Sequence, residues 1–140
     1  MLAGARKDLL EASIKLSFPS TEPVELHHIY PKAWCGSSKV GDLALLLDRD
    51  KAGRNWVDSV ANLMPMSRKS NNLWKAKLPG QILVETKVDY DHVSDVLKPA
   101  FIDREAFAFL LEGPKGLREF WELRANFIAD DLIARTNVTL

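Results

Sequence analysis

The sequence predicts one α+β domain in which a small β-β-α centre is embedded in a mainly helical chain. Three observations carry this expectation. The chain has 140 residues, which is enough for a single core and little more. Two brief β-like runs, Val24 to Tyr30 and Val60 to Met66, are curtailed by Pro31 and Pro65. From Asp91 onward the apolar residues recur at helical spacing. With 46% hydrophobic and 27% charged residues, disorder, collagen-like repeats and coiled coil are excluded.

Taken in chain order, Leu9, Leu10, Ile14 and Leu16 among Lys and Glu predict a short amphipathic helix over residues 2–16, broken at Phe18 to Pro23. The strand from Val24 follows. Gly36 to Trp56 carries three glycines and a run of charges after Leu47, and predicts a long loop of the kind that usually serves a function. Val60 to Met66 predicts the second strand, with Ser67 as N-cap of a helix through Asn71 and Trp74 that Pro79-Gly80 ends. Asp103 caps a further helix containing Phe107, Leu110 and Leu111, stopped by Gly113-Pro114. A last helix carries Leu117, Phe120, Trp121, Phe127, Ile128 and Leu132. The expected division is an N-terminal helix and linker over 1–23, the β-β-α core over 24–78 and a helical part over 79–140.

No apolar run approaches the roughly 18 residues of a membrane span, and no apolar stretch follows the charges at the N-terminus. A cytoplasmic protein without membrane attachment is therefore expected. The single cysteine, Cys35, excludes an internal disulfide and a cysteine-based zinc cluster, and reads as a small apolar filler.

Chemistry concentrates in three strings. Two of the three histidines are adjacent in Glu25-Leu26-His27-His28-Ile29-Tyr30-Pro31-Lys32, and Asp58-Ser59-Val60-Ala61-Asn62-Leu63 and Ser67-Arg68-Lys69-Ser70-Asn71 follow. Hydrolysing a phosphodiester needs a base to activate water and a cation to stabilise the departing oxygen. Imidazole titrates near neutrality and suits the first task. The cation needs hard or borderline donors held by separate elements, such as a strand end and a helix. Because neighbouring side chains of a regular strand point to opposite faces, the strand must end or distort at His27-His28 for both to serve one site. Asn72 competes with Asn71, but lies about 100° round the helix.

These strings resemble the HNH nuclease domain of GmrSD-type restriction proteins, a branch of the ββα-metal (His-Me finger) endonucleases. Phe120 to Ala125 resembles that domain's C-terminal helix, so the likeness covers roughly residues 24–135. The resemblance implies His28 as general base and His27 and Asn71 as ligands of one divalent metal. It implies that Asn62 holds the loop that orients His28, and that the nine-residue offset from Asn62 selects Asn71. The products would carry 5′-phosphate and 3′-hydroxyl ends. Many relatives carry Asp or Glu where His27 stands; an imidazole there leaves Mg²⁺ favoured by availability and brings in Mn²⁺, Ni²⁺ or Zn²⁺. The implied activity is a DNA nickase in restriction or anti-phage defence, joined to an NTPase or DNA-sensing region. An RNA-directed nuclease and an inactive HNH-fold binding or assembly module are the alternatives.

The net charge is zero, from 19 basic and 19 acidic residues. Its distribution is uneven: residues 1–58 balance, 59–84 hold Arg68, Lys69, Lys75 and Lys77 without an acid, and 85–140 sum to −4. The basic segment coincides with Asn62 and Asn71. With Lys32 it predicts a phosphate-contacting surface of modest, salt-sensitive affinity. Trp34, Trp56 and Trp74 are expected in the core around the site, and His92, among acids, on the surface.

Overall fold

A computed structural model describes residues 6–10, 15–16, 24–32 and 56–136. It is a mixed α+β chain, mostly helical. Strands β1 (Arg6–Lys7) and β2 (Lys15–Leu16) form one antiparallel pair. Strands β3 (Val24–His28) and β4 (Leu63–Ser67) form another, in a register from Val24 opposite Ser67 to His28 opposite Leu63. Helix α1 (Arg68–Trp74) follows β4 directly. Then come α2 (Pro79–Glu85), α3 (Tyr90–Leu97), α4 (Arg104–Leu111) and α5 (Leu117–Thr136).

Two expectations are corrected at the N-terminal end and in the second strand. Residues 6–7 and 15–16 are paired strands, not parts of a helix over 2–16. Tertiary bonding overrides the helical pattern here. Asp8 is fully buried, accepts the Ser67 N–H at 2.7 Å and the Ser70 hydroxyl, and so ties this segment to the start of α1. Val60–Asn62 is a 3₁₀ turn rather than strand, opened by Ser59, and β4 begins only at Leu63. The turn is set by Asn62, whose backbone carbonyl still accepts Ile29 N–H at 2.8 Å while its side chain bonds inward. The alternation from that bond leaves Leu26 and Pro65 as a pair without ladder bonds, where the missing proline N–H costs nothing.

Ser67 caps α1 as its position predicts, accepting Ser70 N–H at 3.1 Å. Pro79-Gly80 corrects a third expectation. α1 stops earlier, at Lys75 with φ of 51°, and Pro79 opens α2 at the first helical position. Gly80 is required there by a close approach, since a Cβ would lie 2.9 Å from the Leu111 carbonyl oxygen. Asp103 caps α4, accepting Ala106 N–H at 2.8 Å. The core joins Ile29, Tyr30, Met64, Met66 and Trp74 to Ile82, Leu97, Phe107, Leu110 and Phe120, so the helical part packs onto the strand pair. Among the described residues no helix is long and apolar enough to cross a membrane. The expected long loop, with Trp34 and Cys35, lies outside the described residues.

Candidate active site

The end of β3 presents two faces. Glu25 and His27 share the face packed on α1, and a chain of hydrogen bonds runs across it. Arg68 Nε donates to Glu25 Oε1 at 2.9 Å, Asn71 Nδ2 donates to Glu25 Oε2 at 2.6 Å, and His27 Nδ1 lies 2.6 Å from Asn71 Oδ1. Because the carboxylate can only accept, it turns the amide nitrogen of Asn71 toward itself and the amide oxygen toward His27. In this arrangement Nδ1 carries the imidazole proton and Nε2 is bare. Nε2 is buried and has no hydrogen-bond partner among the described residues. His27 is 3% exposed and stacks obliquely on Trp74, with ring centroids 4.3 Å apart. Burial pushes its pKa down to about 4, against which the bond to Asn71 works only partly, so the ring is neutral at pH 7. Arg68 first, then Asn71, holds the Glu25 carboxyl below its usual range.

His28, at the last position of the strand, faces the other way. Its Nε2 lies 2.8 Å from Asp58 Oδ1, and Lys32 Nζ lies 3.9 Å from the other Asp58 oxygen. That bond, helped by the Lys32 charge, holds the Asp58 carboxyl below its usual range. Asn62 is buried and ligates backbone only. Its Oδ1 accepts Tyr30 N–H at 2.9 Å, and its Nδ2 donates to the Tyr30 and Val57 carbonyls at 3.1 and 3.0 Å. One amide thus clips together the segment after His28 and the segment before Asp58. Behind it, the guanidinium of Arg124 on α5 bonds the carbonyls of Val60 and Ala61 at 2.8 and 2.9 Å and of Ala100 at 3.0 Å. The buried Arg124 has its pKa lowered to about 10 by desolvation and remains charged at neutrality.

His27, His28 and Asn71 line one cleft of about 260 Å³, together with Leu26, Lys32 and Lys75. The strand ending at His28 is what lets both histidines reach it. The other cations named from the sequence have different surroundings: Arg68 is paired with Glu25 and Lys77 with Glu85, while Lys69 is exposed on α1. Asn72 is exposed and His92 lies on the surface near Asp89. Of the three tryptophans, Trp74 is fully buried beside His27. The Trp34 position and the Trp56 side chain fall outside the described residues.

Whether these donors fit a metal can be tested on their chemistry. A neutral imidazole and an amide oxygen are borderline and hard donors, and the atoms of this pair that could face one ion are His27 Nδ1 and Asn71 Oδ1, 2.6 Å apart, with the imidazole proton moved to Nε2. Among the described residues no group of three or more His, Cys, Asp or Glu side chains is placed to hold an ion. Two such donors would leave most of the shell of a cation such as Mg²⁺ to water and phosphate.

Asp58, Glu25 and Arg124 were not assigned roles from the sequence. Glu25 was legible by strand alternation, two residues before His27. Arg124 was legible as a lone charge in the stripe Phe120, Arg124, Ile128. No local signal points to Asp58. No protein-family model, curated protein or solved structure matches this chain.

Proposed function

We propose that this chain is an HNH-type (ββα-metal) endonuclease domain that nicks DNA with a divalent metal, Mg²⁺ first and Mn²⁺, Ni²⁺ or Zn²⁺ as alternatives. The observation that carries the reading is the convergence on one cleft of His27 and Asn71, 44 residues apart and in contact at 2.6 Å, with His28 and its carboxylate partner. His27 and Asn71 would hold the ion, which when bound supplies positive charge for the leaving oxygen and the scissile phosphate. His28 would take a proton from the attacking water. Asn62 ties the backbone after His28 to the backbone before Asp58, and Lys32 and Lys75 would supply contacts to phosphate at the cleft. As a single site it would cut one strand, and a partner region with NTPase or DNA-sensing activity would direct it in restriction or phage defence.

Supercoiled plasmid incubated with Mg²⁺ or Mn²⁺ tests the reading. The intact chain should yield the nicked form, and His28→Ala should slow turnover about 10²- to 10⁴-fold, the usual contribution of a positioned base. Asn71→Ala should abolish the response to metal. Undiminished nicking by His28→Ala would overturn the mechanism. Cleavage of RNA in place of plasmid would reassign the substrate.

A further inference from the structure

We propose that Asp58 is a positioning residue that fixes His28 as its Nε2–H tautomer and leaves Nδ1 as the bare ring nitrogen at the cleft. For its catalytic consequence, the inference rests on the nuclease reading above. The direct observation is the 2.8 Å contact between His28 Nε2 and Asp58 Oδ1. An ionised carboxylate has only lone pairs to offer, so a neutral imidazole meeting it must present N–H, and Nε2 is that atom. Nδ1 has no hydrogen-bond partner among the described residues.

Three further features argue that this contact is built. His28 and Asp58 are 30% and 50% exposed, and a pair so open adds little to folding stability, so stability is a poor explanation for it. Its two halves are nevertheless held at fixed separation by a buried group. Asn62 bonds Tyr30, two residues past His28, and Val57, the neighbour of Asp58. Arg124 in turn fixes the turn that carries Asn62. Finally, the second Asp58 oxygen faces Lys32, which leaves Oδ1 as the oxygen committed to His28.

Water loses a proton to Nδ1 as its oxygen bonds to phosphorus, and His28 becomes an imidazolium with N–H at both nitrogens. The scissile P–O bond breaks with its electron pair going to the 3′-oxygen, which takes a proton from solvent water, and His28 returns its extra proton to solvent. Asp58 stays a carboxylate throughout; it orients the ring and stabilises the cation formed on it.

Nitrogen-15 spectra of the imidazole rings in the full chain report the tautomer directly, whether or not DNA is cut. His28 should show protonated Nε2 in the parent and in Asp58→Asn, which keeps an acceptor oxygen, and a tautomer mixture in Asp58→Ala. Plasmid nicking should show Asp58→Ala lowering kcat about 10- to 100-fold with KM moved less than about twofold, and Asp58→Asn, which keeps an acceptor oxygen but not the charge, turning over between Asp58→Ala and the parent. The double variant His28→Ala/Asp58→Ala should be no slower than His28→Ala alone. An unaltered tautomer in Asp58→Ala, or an unaltered kcat, would overturn the proposal. If the parent chain cuts no nucleic acid, the nuclease reading falls, and the ring spectra still decide whether Asp58 sets the tautomer.

Discussion

His27 and His28 are neighbours in sequence, yet the two faces of β3 give them opposite surroundings. The inner face places His27 at 3% exposure, against Trp74 and under Asn71, where burial lowers its pKa to about 4. The outer face leaves His28 30% exposed and bonded to a carboxylate. A buried neutral imidazole suits a fixed donor, and an open one with a carboxylate behind it suits a group that gains and loses a proton. The difference comes from strand parity alone, and the strand's end at His28 lets both faces open on one cleft. Two residues of one type can thus be given two chemistries by one pleat.

The largest expected effect comes from removing the clip that serves the outer face. Asn62→Ala deletes three hydrogen bonds and leaves buried backbone groups of Tyr30 and Val57 unpaired. At about 1–3 kcal/mol for each unsatisfied buried group, a loss of about 4 kcal/mol in unfolding free energy is expected, read by urea denaturation. The inner face should survive: Asn71 and His27 touch neither Tyr30 nor Val57. A variant that loses the His27 contact as readily as the His28 contact, by imidazole spectra, would show that the two faces are not independent.

How much of this was legible in the sequence follows from the range of the forces involved. Ser67 and Asp103 act within four residues of themselves, and both cap helices where their types and positions predict. The order of His27, His28, Asn62 and Asn71 along the chain was legible, and the structure brings His27 and Asn71 into contact. What was not legible depends on partners distant in sequence. Asp8 pulls the N-terminal segment onto Ser67 and Ser70, and the helix expected over 2–16 gives way to paired strands at 6–7 and 15–16. The carbonyls bonded by Arg124 lie more than sixty residues away at Val60 and Ala61. A sum of charges also hid a pairing pattern: Arg68 and Lys77, counted as parts of a basic surface, are engaged by Glu25 and Glu85.

The inner face can be sharpened by pH. His27 has an ordinary pKa of 6.5 and about 4 in the fold. As pH falls, the unfolded chain takes up the proton first, so the unfolded state binds more protons between those values. Stability of the metal-free protein from this group is therefore complete above pH 6.5, declines as pH falls toward 4 and is lost below it. A difference of that size corresponds to about 3 kcal/mol. Denaturation midpoints from pH 7 to 4 should fall in the parent, and fall less in His27→Gln, which cannot protonate. Equal pH slopes for the two proteins would mean that the ring is not held in dry surroundings.

The smallest effect, and the most discriminating for the outer face, concerns two lysines just past the end of α1. Lys75 lines the cleft, and Lys77 is paired with Glu85 on α2. A lysine that meets a phosphate releases about one counterion, so its removal lowers the slope of log affinity against log salt by about one. Lys75→Ala should do this for binding of a short duplex measured between low and physiological salt, while Lys77→Ala leaves the slope unchanged because its charge is already engaged. The two variants remove the same charge from positions two residues apart, so the total basic content is matched and only placement differs. Equal slopes in the two would mean that DNA meets the whole basic segment rather than the cleft beside His28, and the outer face would lose its claim to be the surface where the substrate lies.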